Sequence, residues 1–213
     1  MPVLVKICGI TRVEDAVAAA RFGADFIGLN FYPGSPRCIS EGQARLILQA
    51  LPDGITAVGL FVNESWEHIG EVATRLGITM VQVHGEQLSP CPLPDLRWIA
   101  AFSIKGPSTF SDMGQLLQRS PSLGRIPAAI LVDAHVPGAY GGTGQTAPWE
   151  VLTLYRPAAP IVLAGGLTLD NIAEAIRIVR PWAVDVASGV ESSPGVKDHD
   201  KMRRFIENAK TVT

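Results

Sequence analysis

Runs of apolar and β-branched residues alternate along the chain with amphipathic stretches. Short apolar runs bounded by turn residues are typical of buried strands, and apolar residues spaced three and four apart are typical of helices with one buried face. Eight runs predict strands: 3–8, 25–31, 56–62, 79–84, 98–103, 128–133, 160–165 and 182–187. Six stretches give the clearest helical patterns: 13–22, 41–51, 66–76, 148–155, 169–179 and 198–209.

The ends of several predicted helices carry the expected signals. Ser40 and Ser65 stand immediately before two of them, where a hydroxyl oxygen accepts a hydrogen bond from a free backbone N–H. Gly23 and Gly77 follow the last residues of the predicted helices 13–22 and 66–76, where the chain commonly leaves a helix in the left-handed conformation.

Strands that alternate with helices predict parallel βαβ units and hence an α/β fold. An open, doubly wound sheet also accommodates such units. Eight units in 213 residues leave fewer than about 30 residues for each, which favours a closed (β/α)8 TIM barrel near the short end of its size range. We therefore expect one barrel domain over residues 1–213. The proline-rich segment 88–96 predicts that the helix between the fourth and fifth strands is degenerate or missing.

Composition excludes several other classes of protein. The net charge is -2 and 18% of residues are charged, without the basic stripe that nucleic-acid binding requires. No apolar run reaches membrane-spanning length, and the first residues lack the pattern of a secretory signal. Three cysteines without paired spacing argue against a disulfide framework or a zinc site, so we expect a cytoplasmic protein.

Polar residues interrupt four of the strands, although strands buried on both faces should be nearly continuous in apolar residues. Side chains alternate between the two faces of a strand, and the aliphatic face should meet the helices. The other face, which then points into the barrel, carries Lys6, Cys8, Gln82, His84, Asp133 and Asp185. Cys8, His84 and Asp133 stand at or near the carboxyl ends of their strands, where barrel enzymes place their chemistry.

Each of these residues also has a plain structural interpretation. A lone buried cysteine is usually a small apolar filler, although Cys8 stands at a strand end beside Lys6. Asp133 can simply cap the loop that follows it. Asp185 can be the ion partner of Lys6, and His84 is more often a packed or rim histidine than a base.

Glycines cluster at three strand ends: 141–144, Gly165–Gly166 and Ser188–Gly189. The last two follow the seventh and eighth strands, where barrels of this kind commonly bind phosphate through backbone N–H groups and a short helix. Residues 188–191 are candidates for that helical turn. The run 141–144 is interpreted as a loop that closes over substrate or as an ordinary surface loop.

Seven segments in one order resemble phosphoribosylanthranilate isomerases and span nearly the whole chain. They are KICGIT (6–11), SPR (35–37), QVHG (82–85), LVD (131–133), GGTG (141–144), LAGGL (163–167) and DVASGVE (185–191). The sequence departs from the pattern of the family at Cys38, Ala187 and residues 145–149.

The resemblance implies a (β/α)8 barrel that performs an Amadori rearrangement of a phosphosugar in tryptophan biosynthesis. The sequence shows neither a metal cluster nor a nucleotide-binding fingerprint, so we predict no cofactor and no metal. The resemblance implies Asp133 as general acid and Cys8 as general base. It also implies the following binding residues: Arg37 for the anthranilate carboxylate, Asp185 for the anthranilate amine, Gln82, His84, Gly142 and Gly144 for the rest of the substrate, and Gly165, Gly166, Ser188 and Gly189 for the phosphate. A thiol acts as a base only as thiolate, and Lys6 is our candidate for the group that favours that form.

Other functions remain to be separated from this one. A ribulose-phosphate epimerase would need metal-binding histidines and acids, and a histidine-pathway isomerase would need an acid on each of the first and fifth strands. A non-catalytic barrel that binds a phosphate ligand would not need Cys8 and Asp133 together. The expected partner is a small phosphosugar, not a nucleic acid or a membrane, and the chain is expected to be a monomer or a homodimer.

Overall fold

The computed structural model describes residues 2–85, 88–104, 108–133, 149–154 and 157–212. Eight parallel strands of this part close into a barrel in chain order, with the eighth paired to the first. They are β1 (Leu4–Cys8), β2 (Phe26–Asn30), β3 (Thr56–Val62), β4 (Met80–His84), β5 (Arg97–Ser103), β6 (Ala129–Asp133), β7 (Ile161–Ala164) and β8 (Ala183–Val186). The predicted (β/α)8 barrel is confirmed, and the open sheet is excluded.

Helices surround the barrel. They are α1 (Val13–Phe22), α2 (Glu41–Ala50), α3 (Trp66–Leu76), α4 (Ser108–Leu123), α5 (Trp149–Leu154), α6 (Ile172–Val179) and α7 (His199–Thr211). The described residues between β4 and β5 include no helix, as the prolines there predicted. None of the described helices is both long enough and apolar enough to cross a bilayer.

Three features differ from the sequence pattern. Helix α4 was not among the clearest patterns, because serines and glycine dilute its apolar spacing and Pro121 lies inside it. Helix α6 begins three residues later than predicted, because Asn171 closes the preceding turn by accepting from Thr168 N–H and donating to the Gly166 carbonyl. A 3-10 turn (Ser188–Val190) leads into an antiparallel hairpin of β9 (Glu191–Ser193) and β10 (Val196–Lys197), whose strands are too short to show a period.

The predicted helix ends are confirmed. Ser40 Oγ accepts from Gln43 N–H while the Gln43 side chain accepts from Ser40 N–H, which forms a capping box at the start of α2. Ser65 caps α3 by a single bond, in which its Oγ accepts from His68 N–H. Gly23 and Gly77 end α1 and α3 with φ of 93° and 71°.

The apolar core has two layers separated by the strands. The outer layer lies between the strands and the helices and holds strand residues such as Val5, Ile7, Val132 and Val184. The inner layer fills the barrel and consists of Val58, Met80, Ile99, Ala101, Ala129, Leu131, Val162, Ala164 and Ala183. This packing fixes which side chains of every strand point inward.

Two adjacent residues of α2 test the outer layer. Ile47 is fully buried, whereas its neighbour Leu46 is 60% exposed. Replacing Ile47 with Ala should lower the free energy of unfolding by about 2–5 kcal/mol, because it removes buried methyl groups and leaves a cavity. Leu46→Ala is the matched control and should change it by less than about 0.5 kcal/mol. Urea denaturation of both variants measures the difference, and equal losses would contradict this packing.

Candidate active site

The inner face of the barrel changes from apolar to polar towards the carboxyl ends of the strands. The polar residues share their faces with members of the inner apolar layer or with residues packed on it. Thus Lys6 and Cys8 follow Leu4, Gln82 and His84 follow Met80, Asp133 follows Leu131, and Asp185 follows Ala183. The structure therefore places the predicted polar set on the inner face, as the alternation of side chains indicated.

A buried ion pair joins the first and last strands. Lys6 and Asp185 stand opposite each other in the pairing of β1 with β8, and Lys6 Nζ donates to Asp185 Oδ1 at 2.8 Å. Burial alone would lower the pKa of Lys6, but the Asp185 carboxylate and the Cys8 thiol outweigh it and raise that pKa. Lys6 is therefore a fixed positive charge at physiological pH.

The Cys8 thiol shares a small space with this ammonium group. Cys8 pairs with Gly28 of β2, and a Cβ added at Gly28 would lie 2.8 Å from Cys8 Sγ and 3.0 Å from Lys6 Nζ. The glycine thus makes room for both groups at the end of β1.

Lys6 acts on Cys8 in the direction expected from the sequence, but it does not decide the net shift of the thiol pKa. The positive charges of Lys6 and Lys197 do lower the pKa of the Cys8 thiol, but burial and the nearby Asp185 carboxylate outweigh them and raise it. Burial has the largest effect, because the free energy needed to take a charged thiolate out of water exceeds the stabilisation that the two cations give it.

Gln82 and His84 form a second polar pair on β4. Gln82 Nε2 lies 2.7 Å from His84 Nε2, and Gln82 Oε1 is buried without a hydrogen-bond partner among the described residues. Burial, and then the charge of Lys6, lowers the pKa of His84 to about 4. His84 is therefore a neutral hydrogen-bonding group near pH 7.

A cavity of about 780 Å³ opens beside His84. Its lining includes Asn63 after β3, Ser103 at the end of β5 and Asp112 on α4. The cavity therefore lies to one side of the Cys8 thiol, at the ends of the third to fifth strands.

Arg37, in the loop between β2 and α2, is held by a carboxylate. Its Nε donates to Glu191 Oε1 at 2.8 Å and its Nη2 to Glu191 Oε2 at 2.6 Å. Its aliphatic stem crosses Gly9, where an added Cβ would collide with Arg37 Cδ. Arg37 is thus a fixed guanidinium beside the end of β1 and not a free surface arginine, and the bidentate geometry explains its firm placement.

The same carboxylate binds a second cation that sequence reasoning missed. Glu191 Oε1 also accepts from Lys197 Nζ at 2.8 Å. Arg37 and Lys197 hold the pKa of Glu191 below its usual value against the effect of burial. Burial lowers the pKa of Lys197 although Glu191 opposes it. The only signal in the sequence was the segment DVASGVE (185–191), which ends at Glu191. Lys197 lies in β10, a strand of two residues that is too short to show an alternation of polar and apolar positions.

Asp133 ends β6, opposite Ser103 of β5 and Ala164 of β7. The strand β6 is three steps from β1 around the closed ring, through β7 and β8. The two residues expected to act as acid and base thus belong to the same end of the barrel and to separate strands.

The predicted phosphate end is assembled from two loops. Gly165 and Gly166 follow β7 with φ of 86° and 66°, which other residues rarely adopt. The predicted turn after β8 exists as the 3-10 turn that begins at Ser188. A Cβ at Gly189 would overlap the Leu167 carbonyl oxygen, so the two loops touch. Gly142 and Gly144 lie outside the described residues.

Within the described ranges, no group of three or more His, Cys, Asp and Glu side chains is arranged to hold a metal ion. The polar groups at the carboxyl end of the barrel are instead paired with one another, and they offer a thiol, carboxylates and cations for proton transfer and anion binding.

Comparison with known proteins identifies the family. The family model described as N-(5'-phosphoribosyl)anthranilate isomerase matches residues 5–208. The curated N-(5'-phosphoribosyl)anthranilate isomerase of Geobacter sulfurreducens is 44% identical over 209 residues, which are 98% of each chain.

Solved structures agree. The crystal structure of phosphoribosyl anthranilate isomerase from Thermotoga maritima is 41% identical, covers 98% of each chain and superposes with a TM-score of 0.82. A second isomerase structure, in complex with reduced 1-(o-carboxyphenylamino)-1-deoxyribulose 5-phosphate, is 39% identical with a TM-score of 0.79 and 98% coverage of each chain. With its closed barrel and its match over nearly the whole length, this chain belongs to the phosphoribosylanthranilate isomerase family.

Proposed function

We propose that this chain converts N-(5'-phosphoribosyl)anthranilate to 1-(2-carboxyphenylamino)-1-deoxyribulose 5-phosphate, a step of tryptophan biosynthesis. The observation that supports it most is the end of β1, where a thiol, a paired ammonium group and an anchored guanidinium meet at the carboxyl end of a barrel. The relative that was solved with the reduced product analogue supports a phosphosugar with an anthranilate group as the ligand.

The reaction divides into two proton transfers. Asp133 gives a proton to the ring oxygen of the sugar, the C1–O bond breaks, and the nitrogen lone pair forms a Schiff base at C1. Thiolate Cys8 then removes the proton from C2, and the C–H electrons form the C1=C2 bond of an enolamine, which tautomerises to the ketone. Both steps are general acid–base catalysis.

The raised pKa of Cys8 has two opposed effects on this chemistry. It leaves less thiolate at neutral pH, but the thiolate that does form is a stronger base. Lys6 and Lys197 limit the first effect because their charges favour the anion. The site therefore combines a basic sulfur with cations that keep part of it ionised.

The two ends of the substrate are assigned to opposite sides of the site. Arg37 uses Nε and Nη2 for Glu191, so its Nη1 edge is available in this proposal to the anthranilate carboxylate. Asp185 uses Oδ1 for Lys6 and would receive the amine on Oδ2. Gly165, Gly166, Ser188 and Gly189 would bind the phosphate through their backbone N–H groups, while Gln82 and His84 support the substrate from β4.

Two further expectations accompany this proposal. We expect the protein to act in the cytoplasm on a small phosphosugar, as a monomer or a homodimer; light scattering distinguishes the two states.

The function itself is tested by adding purified protein to freshly prepared phosphoribosylanthranilate and following the decay of its fluorescence. No decay above the uncatalysed rate would refute the proposal.

Removing either proton-transfer group should abolish most of the activity. Cys8→Ala and Asp133→Asn should each lower kcat by at least about 10²-fold, the usual contribution of a general base or acid. Cys91→Ala is the matched control for loss of a thiol, since Cys91 pairs with Arg125 ahead of β6, away from the carboxyl ends of the strands. The decay of substrate fluorescence measures kcat for each variant. A kcat of Cys8→Ala close to that of the wild type would exclude Cys8 as the base.

The pH dependence should report the Cys8 thiol. Because its pKa is raised, kcat/KM should still increase with pH above about 8.5, the usual pKa of a free thiol. His84, with its pKa lowered to about 4, should not contribute a step between pH 6 and 8. Initial rates at low substrate concentration from pH 6 to 10 give the profile. A plateau reached by pH 7 would show that no raised thiol ionisation controls the reaction.

A further inference from the structure

We propose that Lys197 is a positioning residue of this isomerase, whose single buried ammonium group fixes both the strand end that carries Cys8 and, through Glu191, the guanidinium of Arg37. The inference deepens the proposed function and rests on it, because the roles of Cys8 and Arg37 come from that function.

The first part of the argument is the point where the pairing of β1 with β8 ends. The two strands pair from Leu4 with Ala183 up to Ile7 with Val186. The next residues, Cys8 and Ala187, have no such pairing, since Ala187 turns away from the sheet with φ of -120° and ψ of -81°. Lys197 Nζ donates to both of their carbonyl oxygens, at 2.6 Å to Cys8 and 3.2 Å to Ala187. The ammonium group of Lys197 thus links the ends of β1 and β8 where their direct pairing stops.

The second part is the sharing of one carboxylate. Glu191 Oε1 accepts from Lys197 Nζ and from Arg37 Nε, both at 2.8 Å. The Glu191 carboxylate is therefore held between the lysine and the arginine. Charge-assisted hydrogen bonds of this kind are the strong ones in proteins, so a change at Lys197 should reach Arg37.

The third part is that Lys197 is itself anchored. Its side chain is fully buried, and its backbone N–H donates to Asp15 Oδ2 at 3.1 Å. Asp15 is a buried carboxylate of α1 whose Oδ1 lies 2.7 Å from His199 Nε2. A long side chain with a fixed backbone and three acceptors at its end has one position, which is what a positioning group requires.

The fourth part is the charge balance around the thiol. The groups that influence Cys8 are Lys6, Lys197 and Asp185, and Arg37 also interacts with it. Together with Glu191 they make three cations and two carboxylates, an excess of one positive charge. Loss of Lys197 would remove that excess and disfavour the thiolate, which a purely structural lysine would not do.

The test compares three variants in the intact protein: Lys197→Met, Glu191→Gln and Lys201→Met. Lys201 is the matched control, because it is an exposed lysine that donates to the backbone carbonyl of Glu191 and not to its carboxylate. The measurements are kcat, KM, circular dichroism and the rate at which iodoacetamide alkylates Cys8 as a function of pH, read from the mass of the Cys8 peptide.

Lys197→Met should lower kcat by about 10²-fold, the cost of a small misplacement of a reacting group, and should move the midpoint of Cys8 alkylation to higher pH. Glu191→Gln should mainly raise KM, by about tenfold, because the bidentate charged contact with Arg37 is lost. Lys201→Met should match the wild type in all four measurements.

A folded Lys197→Met variant that keeps the kcat and the alkylation profile of the wild type would overturn the inference, as would a variant that only unfolds more easily. If Lys197→Met does not fold, Glu191→Gln decides, since an unchanged KM contradicts the shared carboxylate. A wild-type protein without isomerase activity refutes the proposed function instead, and the alkylation profile still reports whether Lys197 acts on Cys8.

Discussion

Two buried ammonium groups at the end of β1 determine the electrostatics of the site. Lys6 is paired with Asp185 inside the barrel, and Lys197 is paired with Glu191 behind the strand end. A buried charge is tolerated only when it is paired and hydrogen-bonded, so Lys6 requires Asp185 of the last strand, and Lys197 requires Glu191, six residues before it in the hairpin. The pair of Lys6 with Asp185 connects the first strand to the last, and the bond from Lys197 Nζ to the Cys8 carbonyl connects the hairpin to the end of the first strand. Both ammonium groups therefore act on the same thiol.

The thiol shows how these charges and burial compete. Burial raises the pKa of Cys8, and the same exclusion of water strengthens the attraction of the two ammonium groups for the thiolate. A more exposed cysteine would ionise more easily but would be a weaker base. The Gly28 gap on β2 lets sulfur and ammonium share the space, so the balance depends on the shape of the barrel as well as on its charges.

Much of the fold could be predicted from the sequence because its signals are local. Val3, Val5 and Ile7 against Lys6 and Cys8 show by alternation alone which face of β1 is buried under helices, and capping residues such as Ser40 mark where helices begin. Closure of the barrel then follows from the number and length of the units. The polar residues of the inner face were found the same way, since each interrupts an apolar strand. Helix α4 could not be predicted in this way, because serines, a glycine and Pro121 dilute its apolar pattern.

The partners of those residues could not be predicted, because they are set by the closed topology and not by local pattern. Lys197 reaches Cys8 across 189 positions of sequence, and Asp15 reaches the backbone of Lys197 across 182. On its own helix, Asp15 looks like an ordinary acidic residue of the first turn. Only when β8 pairs with β1 does the hairpin after β8 meet the end of the first strand and the start of α1. The ammonium group that holds the end of β1 therefore belongs to the last fifth of the chain, and it reaches that strand end only when the barrel closes.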